Sequence, residues 1–175
     1  MECKVKTGEN QIELLRVPHR ITLTWREPAG RFFNRTLLAM RDKEELWAVK
    51  CPSCKRVLFP PEIVCGMCKI RISDTEDNWV RLGNEGTLVN YYKVTGNREI
   101  DPSTGWHPKG QTFNPIGFIR PDGGNEWTIL AHILEETDTS KLYPGLRVGA
   151  IWKPKSERQG LMSDIKFWRI LEVKE

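Results

Sequence analysis

Short segments in which apolar and polar residues alternate dominate the second half of the chain. Alternation with a period of two is the pattern of a strand that buries one face, and turns rich in Gly, Pro and Asp separate the segments. The predicted strands are residues 86–94, 116–120, 127–134, 147–152 and 165–171. Five strands with a hairpin turn at 121–124 are typical of a small five-stranded barrel of the OB type, and this count favours the barrel over a sandwich.

A helical pattern precedes this region. Pro28 suits the first turn of a helix that continues to about Asp42. Apolar residues gather on one side of this helix and arginines lie off it. The apolar residues are Phe32, Phe33, Leu37, Leu38 and Met40, and the arginines are Arg31, Arg35 and Arg41. The apolar side must be buried against the rest of this chain or against a partner, and the pattern leaves both open. Strands are predicted at 21–25 and 46–49, and an acidic turn at 74–78 suggests a domain boundary.

Four cysteines in two Cys-x-x-Cys hooks give the clearest chemical signal. Cys51 and Cys54 form the first hook, and Cys65 and Cys68 form the second after ten intervening residues. This spacing brings four thiolates to the corners of a tetrahedron, the shell that Zn²⁺ prefers in structural sites. We therefore predict a zinc ribbon in which residues 56–64 form one arm of a hairpin, a turn at the two prolines and a second arm. Because a closed four-sulfur shell has no open position for substrate, this zinc is expected to be structural.

Three other uses of clustered cysteines compete with zinc. Disulfides are typical of secreted chains, but no signal-peptide pattern is found and four clustered thiols favour a metal. Iron in a rubredoxin-like site usually goes with a longer gap between the hooks. Catalytic thiols would have to be free of metal. Cys3 lies in a polar N-terminal segment and is expected to be an idle free thiol.

Length, composition and charge narrow the class of protein. The 175 residues are 39% apolar and 29% charged, which suits one globular domain or two small ones. No apolar run is long enough to cross a bilayer, so we expect a cytoplasmic protein that does not enter the membrane. The predicted division is an N-terminal arm and helix at 1–45, the zinc ribbon at 46–78 and the OB-type domain at 79–175.

The net charge of +4 is unevenly distributed along the chain. Residues 16–56 hold ten Lys or Arg against four Asp or Glu, whereas residues 81–175 hold thirteen against twelve. The basic excess in the first segment could bind a polyanion, or it could be the ordinary solvent-exposed face of a helix. A nucleic-acid-binding domain is usually more basic than this, so the charge alone does not indicate one.

Two predicted loops hold candidate binding residues. The loop at 95–114 is longer than a hairpin needs and contains Trp106, and long loops in compact domains are usually functional or disordered. The loop at 153–164 carries the cations Lys153, Lys155 and Arg158. Such loops flank the binding face of an OB barrel, where apolar groups beside cations suit a ligand with a phosphate end and an apolar arm, or a protein surface. The alternative is that Trp106 covers an end of the barrel and the cations are merely solvated.

No catalytic set is recognisable in the sequence. The three histidines, His19, His107 and His132, are scattered, and His132 lies in an apolar strand where a satisfied, partly buried role is expected. No serine elbow and no phosphate-binding loop is found.

The order of these parts resembles a known family. The features that carry the resemblance are the basic helix, the two hooks around Phe59-Pro60-Pro61, the opening Glu85-Gly86-Thr87-Leu88, and the later segments 149–153, 157–160 and 164–167. Together they are similar to the OB-fold acyl-CoA-associated family with a rubredoxin-like zinc ribbon, over about residues 20–172. The four cysteines are common to many zinc ribbons, whereas their combination with the Pro-Pro turn and this strand region is far more specific.

The resemblance implies a partner enzyme. Members of this family accompany thiolase-fold enzymes, such as acetoacetyl-CoA thiolases, sterol side-chain aldolases and benzoylsuccinyl-CoA thiolase, as small non-catalytic subunits that help to enclose acyl-CoA. It implies structural zinc here, and CoA or acyl-CoA at a shared interface. The expected docking residues are Phe32, Phe33, Phe59, Pro60 and Pro61. The expected candidates for the CoA channel are Arg31, Arg35, Trp106, Lys153, Lys155 and Arg158.

Two other functions stay open. Zinc ribbons and OB barrels both bind single-stranded nucleic acid, for which Tyr91, Tyr92 and Trp127 could supply stacking rings beside cations. The near-neutral charge of the predicted barrel argues against that alternative. A rubredoxin-like electron carrier would instead contain iron and be red on purification.

Overall fold

The computed structural model describes residues 5–7, 10–12, 27–93 and 114–171. Within these ranges the fold is mainly β, with one α-helix, α1 (Gly30–Lys43), before the longer strands. The strands are β1 (Val5–Thr7), β2 (Asn10–Ile12), β3 (Leu46–Lys50), β4 (Val57–Leu58), β5 (Trp79–Leu82), β6 (Glu85–Tyr92), β7 (Ile116–Pro121), β8 (Leu130–Ile133), β9 (Arg147–Trp152) and β10 (Ile165–Ile170).

The five strands that the alternation predicts form one antiparallel sheet. Its spatial order is β10-β9-β6-β7-β8. The hydrogen-bonded ladder does not close on itself, but an isolated bridge of parallel type joins Leu134, just after β8, to Trp168 in β10. The backbone N–H of Glu135 also donates to the carbonyl of Trp168 at 2.8 Å. The two edge strands of the sheet are therefore linked at one point.

The ribbon contributes a second, three-stranded sheet in the order β4-β3-β5. The first predicted arm of the linker is present as β4, but β4 pairs with β3, whereas Val64 bridges Arg71 beyond the second hook. The prediction that residues 56–64 form a hairpin with each other is therefore wrong. The reason is that the chain before the first hook pairs with the start of the linker, and the chain after the second hook pairs with its end. The two halves of the linker therefore do not pair with each other. β5 also pairs with β3, although the sequence division places residues 79–82 outside the ribbon.

The helix forms where it is predicted, but its buried face differs from the predicted one. Phe32, Thr36 and Met40, spaced four residues apart, are buried, whereas Leu38 is 40% exposed. Thr36 has no exposed surface, and its hydroxyl donates to the carbonyl of Trp47 at 2.8 Å. A count of apolar residues passes over this threonine, which satisfies a backbone group on the neighbouring strand.

Strand β3 joins two hydrophobic clusters. Leu46 and Ala48 belong to the large cluster of the five-stranded sheet, whereas Val49 belongs to a smaller cluster around the cysteine hooks. Helix α1 is shared in the same way, since Met40 packs in the first cluster and Phe32 in the second. The ribbon and the five-stranded sheet are thus packed together through one strand and one helix.

Several predicted features lie outside the described residues. They are the strand at 21–25, Cys3, His19, and most of the 95–114 loop with Trp106 and His107. In the described part of the chain, no helix has the length and apolar character that crossing a membrane requires.

Candidate metal centre

The four predicted ligands come together at one point. The Sγ atoms of Cys51, Cys54, Cys65 and Cys68 all lie within 4.8 Å of one another. With Zn–S bonds of about 2.3 Å, the edge of a tetrahedral four-sulfur site is about 3.8 Å long. The Sγ atoms of Cys54 and Cys65 are 3.7 Å apart, which matches this edge.

Each hook is shaped by the same pair of backbone hydrogen bonds. In the first, the N–H of Lys55 donates to the carbonyl of Cys51 at 3.0 Å, and the N–H of Cys51 donates to the carbonyl of Arg56 at 2.8 Å. In the second, the N–H of Lys69 donates to the carbonyl of Cys65 at 2.8 Å, and Cys65 donates to Ile70 at 3.0 Å. The repeat of this geometry explains why two Cys-x-x-Cys segments present their sulfurs alike.

A lysine in the left-handed backbone region follows each hook. The φ angles are +60° at Lys55 and +58° at Lys69. Residues other than glycine are uncommon in the left-handed region, because their Cβ atom crowds the following carbonyl oxygen. The tight hook therefore costs some conformational free energy, which metal binding must offset.

The donor atoms at the second hook favour thiolate. Backbone N–H groups of Cys68, and then of Met67, donate toward the sulfur of Cys65 and lower its pKa to about 7, while burial opposes the shift. A thiolate is the form that binds zinc, so these N–H groups prepare the sulfur for the metal. Cys51 and Cys65 are fully buried, and Cys54 and Cys68 are partly buried.

The ribbon packs on an aromatic cluster at the start of α1. The rings of Phe32 and Trp79 lie 5.4 Å apart, and the guanidinium of Arg35 lies over Trp79 at 4.4 Å. Arg35 also donates to both carboxylate oxygens of Glu76 at 2.8 Å. The indole N–H of Trp79 donates to Asp74 at 2.8 Å. The acidic turn that the sequence suggests as a boundary is therefore a contact surface for the helix.

The residues predicted to dock a partner divide into buried and accessible groups. Phe32, Phe59 and Pro61 are buried inside this chain. Phe33 is partly buried and Pro60 is exposed, so only these two offer surface to another molecule. The sequence could not separate the groups, since the burial of Phe32 and Phe59 depends on strands that are distant along the chain.

The residues predicted for a CoA channel lie at two separate grooves. Arg31 and Arg35 line a groove of about 390 Å³ beside α1, and Arg31 is paired with Asp74 at 2.6 Å. Lys153 instead lines a cavity of about 520 Å³ beside β8 and β10, while Lys155 is exposed nearby in sequence. Trp106 lies outside the described residues.

Arg158 is held by contacts within this chain. Its side chain is only 7% exposed, its Nε donates to the carbonyl of Lys153 at 2.7 Å, and it forms an ion pair with Glu44 just after α1. A further N–H donates to the carbonyl of Arg41 at 3.3 Å. Arg158 therefore joins the β9–β10 connection to the end of the helix.

Two residues, Asp164 and His132, contact the backbone of this connection, and of the two only His132 was singled out from the sequence. Asp164 is buried, and its carboxylate accepts N–H groups from Gln159, Gly160 and Leu161 at 2.7–3.1 Å. His132 is partly buried, and its ring nitrogens lie 3.3 and 3.4 Å from the carbonyls of Met162 and Ile133. Burial lowers the pKa of His132, and the two carbonyls only partly offset that effect. This agrees with the satisfied role expected for His132.

Comparison with known proteins now identifies the metal-binding segment. Residues 39–71 match the family model of the ChsH2 rubredoxin-like zinc ribbon domain. Over these residues the chain is similar to that zinc ribbon domain. This match confirms the family resemblance that the sequence indicated, and with the four clustered cysteines it supports structural zinc in the ChsH2-type ribbon.

One solved structure extends the likeness beyond the ribbon. A chain described as an Ltp2–ChsH2 (DUF35) aldolase has a TM-score of 0.51 and 19% identity, covering 82% of this chain and 98% of that chain. A DUF35-family protein of unknown function from Sulfolobus solfataricus has a TM-score of 0.49 and 18% identity, covering 82% and 84%. The first comparison shows a shared fold. No curated protein sequence matches this chain.

Proposed function

We propose that this chain is a non-catalytic, zinc-binding accessory subunit of a thiolase-type acyl-CoA enzyme complex. The observation that carries the proposal is a ChsH2-type ribbon packed on a sheet within a shared fold. The structure that shares this fold is described as an aldolase containing ChsH2, and the likeness spans 98% of that chain. The partner subunit would then provide the chemistry, and this chain would complete the assembly.

The described residues support a non-catalytic role. Thiolase chemistry needs a cysteine nucleophile that a histidine activates. The four described cysteines form the metal centre, and the ring nitrogens of His132 are directed at backbone carbonyls. A closed four-sulfur zinc site stabilises structure and leaves no ligand position for substrate.

We further propose that the five-stranded sheet is a barrel of the OB type. Numbered in chain order, its strands follow the sequence 5-4-1-2-3, and the parallel bridge between Leu134 and Trp168 links the third and fifth. An OB barrel is a partly open five-stranded Greek-key barrel, and the strand order and this bridge support that proposal. Its β9–β10 loop would border the bound ligand.

The docking surface in this proposal is centred on Phe33 and Pro60, the accessible members of the predicted set. In this proposal Lys153 and Lys155 would meet the phosphates of CoA. Arg31, whose side chain is 79% exposed at the helix groove, would offer a third cation by exchanging its partner Asp74 for a phosphate. Arg35 and Arg158 have internal carboxylate partners, so their substitution is expected to act through the fold.

The direct test is purification of the tagged chain from its native host, with mass spectrometry of bound proteins and with zinc and iron measured on the same sample. The captured enzyme is then co-expressed with this chain, and the molar ratio of the complex is determined. A thiolase-fold enzyme recovered in constant proportion, with one zinc per chain, supports the proposal. A chain that remains alone with every thiolase-fold candidate contradicts it.

A pair of helix variants tests the docking surface. Phe33→Glu introduces a charge at a partly buried apolar residue, and we expect the complex to weaken at least tenfold. Asn34→Glu introduces the same charge at the next, exposed position and is the matched control. Equal weakening by both variants, or by neither, would show that Phe33 is not in the interface.

Single-stranded nucleic acid is a second candidate ligand, and one contact favours it. Trp127 is 55% exposed, and the guanidinium of Arg56 lies over its ring at 4.1 Å. Proteins that bind single strands use exposed aromatic rings, with arginines beside them, as surfaces on which bases stack. Fluorescence anisotropy with a labelled oligothymidine tests this candidate. Salt-sensitive binding that Trp127→Ala abolishes would support it, and absence of binding at low salt would exclude it.

A further inference from the structure

Strands β8 and β10 are joined at one point and stay apart beside it. The bridge between Leu134 and Trp168 is isolated, so the described strands do not continue this pairing toward the start of β10. The cavity of about 520 Å³ lies in the open part, and we call it the β8–β10 groove. Residues 131–133 of β8 line one side of the groove, and residues from the segment 162–166 line the other.

The register of β8 fixes which of its backbone groups face the β8–β10 groove. In an antiparallel pair, every second residue directs its N–H and C=O toward the neighbouring strand. The N–H of Leu134 donates to Pro115 beside β7 at 2.9 Å, whereas the N–H of Glu135 donates away from β7, to β10, at 2.8 Å. Ala131 and Ile133 alternate in step with Glu135, so their backbone groups face the groove.

These backbone groups can pair with an added strand. The five-stranded sheet ends at β8, and apart from the isolated bridge no strand in the described part of the chain pairs with its outer edge. The two sides of the groove are joined through the side chain of His132, whose Nε2 lies 3.3 Å from the carbonyl of Met162. The N–H and C=O of Ala131 and the N–H of Ile133 therefore form an open strand edge, which is a template for another chain.

The walls of the β8–β10 groove are apolar. They include Ile116, Met162 and Ile165. Lys166 lines the groove with its aliphatic stem, because its Nζ lies 5.3 Å from the centre of the Phe167 ring and is directed there. The groove therefore accepts apolar side chains, and charged groups of a ligand would lie outside it.

The surroundings of the groove favour an acidic residue at the end of such a segment. Lys153 and Lys166 are the charged residues among those described as lining it, and none of these lining residues is acidic. The carboxylate of Asp164 accepts backbone N–H groups, and Glu135 is paired with Arg169. A chain that leaves the groove thus passes lysines whose neighbouring acids have other partners.

We propose that the β8–β10 groove binds an extended segment of another polypeptide, in which apolar residues are followed by an acidic one, as a strand added to β8. The backbone groups of Ala131 and Ile133 select a polypeptide, because a hydrocarbon cannot return their hydrogen bonds. About four residues would pair, since β8 itself has four. The β8 strand of a second copy does not suit the groove, because that strand carries β7 beside it and the segment 162–166 lies where β7 would have to enter.

This inference goes beyond the proposed function. None of the residues that line the β8–β10 groove belongs to the docking surface centred on Phe33 and Pro60. The added strand is recognised by backbone pairing and apolar contact, so the inference does not depend on the partner being a thiolase-type enzyme.

Selection from random octapeptides displayed on phage, with the purified full chain as target, provides the test. We expect enriched peptides to share apolar residues at alternate positions and an acidic residue next to them. The most enriched peptide is then synthesised with a fluorescent label, and its affinity is measured by anisotropy. Replacing its acidic residue by lysine should weaken binding about twofold to fivefold, as for exposed charge pairs.

Hydrogen exchange distinguishes strand addition from contact through side chains alone. In the free chain, the N–H groups of Ala131 and Ile133 should exchange quickly, whereas that of His132, which pairs with Gly117 of β7, should exchange slowly. The peptide should slow exchange at Ala131 and Ile133 and leave His132 nearly unchanged. A ligand that only fills the apolar space would not produce this alternation.

Two pairs of variants locate the peptide. Ala131→Pro removes an N–H that faces the groove, which an edge strand tolerates, and should weaken the peptide at least tenfold. Ala131→Val keeps the N–H and is its control. Ile133→Asp places a negative charge at a groove residue that is 42% exposed and should also weaken the peptide at least tenfold. Val89→Asp is its control, since Val89 is 40% exposed on β6 and does not line the groove.

Zinc content and tryptophan fluorescence identify any variant that fails to fold, and the other pair then decides. The proposal is overturned if no peptide is enriched over a resin without protein, or if exchange at Ala131 and Ile133 is unchanged by the peptide. It is also overturned if both variants of a folded pair bind the peptide alike. Because only the purified chain and synthetic peptides are used, each outcome is independent of whether the chain joins a thiolase-type complex.

Discussion

The ribbon and the five-stranded sheet are stabilised in different ways. Among the described residues, the larger buried cluster has fifteen members. Nine of them lie in the five-stranded sheet and its connections, such as Leu88, Ile119 and Trp168, and six come from α1 and the ribbon. The cluster of the ribbon has six, and two of them are Cys51 and Cys65. A region this small cannot bury enough apolar surface to fold alone, so the metal must supply the difference. The four predictions that follow test this contrast, from the largest expected effect to the smallest.

Loss of a ligand should unfold the ribbon and spare the sheet. Cys51→Ser or Cys65→Ser removes a buried sulfur, and structural zinc contributes on the order of 10 kcal/mol to small zinc domains. We expect zinc to be lost and any complex with a partner to fail. Metal analysis and hydrogen exchange measure both effects, with fast exchange in β3 and β4 and protection retained in β6 and β7.

Ser53→Ala, at an exposed position between the two ligands of the first hook, is the control and should keep one zinc per chain. If Cys51→Ser kept both its zinc and its assembly with a partner, the structural role of the metal would be wrong.

Shortening a buried side chain in the sheet should have the opposite effect, with lower stability of the fold and zinc retained. Trp168 has no exposed surface, and Trp168→Ala should lower the free energy of unfolding by about 3–5 kcal/mol. Denaturant unfolding measures this loss, and metal analysis should still find zinc. Trp127→Ala, at a tryptophan that is 55% exposed, should cost about 1 kcal/mol or less. Zinc loss in Trp168→Ala at low denaturant would show that the two regions unfold as one unit.

The contact between helix and strand should couple the two regions. Thr36→Val removes the hydroxyl that donates to the carbonyl of Trp47, and we expect a loss of about 1–2 kcal/mol. Thr36→Ser keeps the hydroxyl and should lose less. The midpoint of unfolding in denaturant, measured by tryptophan fluorescence and by zinc release, should fall by the same amount with both signals in Thr36→Val. A shift in only one signal would mean that Thr36 serves one region alone.

The smallest effect is expected at the left-handed residues of the hooks. Lys69→Gly places glycine where φ is +58° and should stabilise the ribbon by up to about 1 kcal/mol. Competition with a chelator measures this as tighter zinc binding. Lys50→Gly, at an exposed position in β3, should instead be neutral or destabilising. Weaker zinc binding in Lys69→Gly would show that the lysine side chain matters more than its backbone strain.

The sequence predicted the parts of the molecule that depend on local spacing. The two hooks require only their own residues and neighbours, so Cys-x-x-Cys was sufficient to place four sulfurs together. The strands of the large sheet were recognised because one face of each is buried and the other is not.

The parts that depend on distant contacts were not predicted. The pairing of β5 with β3 and the burial of Phe32 against Trp79 arise from segments that are far apart in the sequence. The burial of Asp164 was not predicted, because its partners are backbone N–H groups, which every non-proline residue has and which residue types therefore do not reveal. The cavity beside β8 and β10 combines residues from several segments, of which the sequence singled out only the loop at 153–164 as a candidate for binding.

The double role of β3 limits how this protein can be recombined. Leu46 and Ala48 face one cluster and Val49 faces the other, so inserting or deleting one residue before Cys51 would exchange the two faces. A chimera that takes its ribbon from another protein must therefore import helix, strand and hooks as one block with unchanged spacing. A junction placed between α1 and β3 would join halves that no longer match, however well each half folds in its own parent.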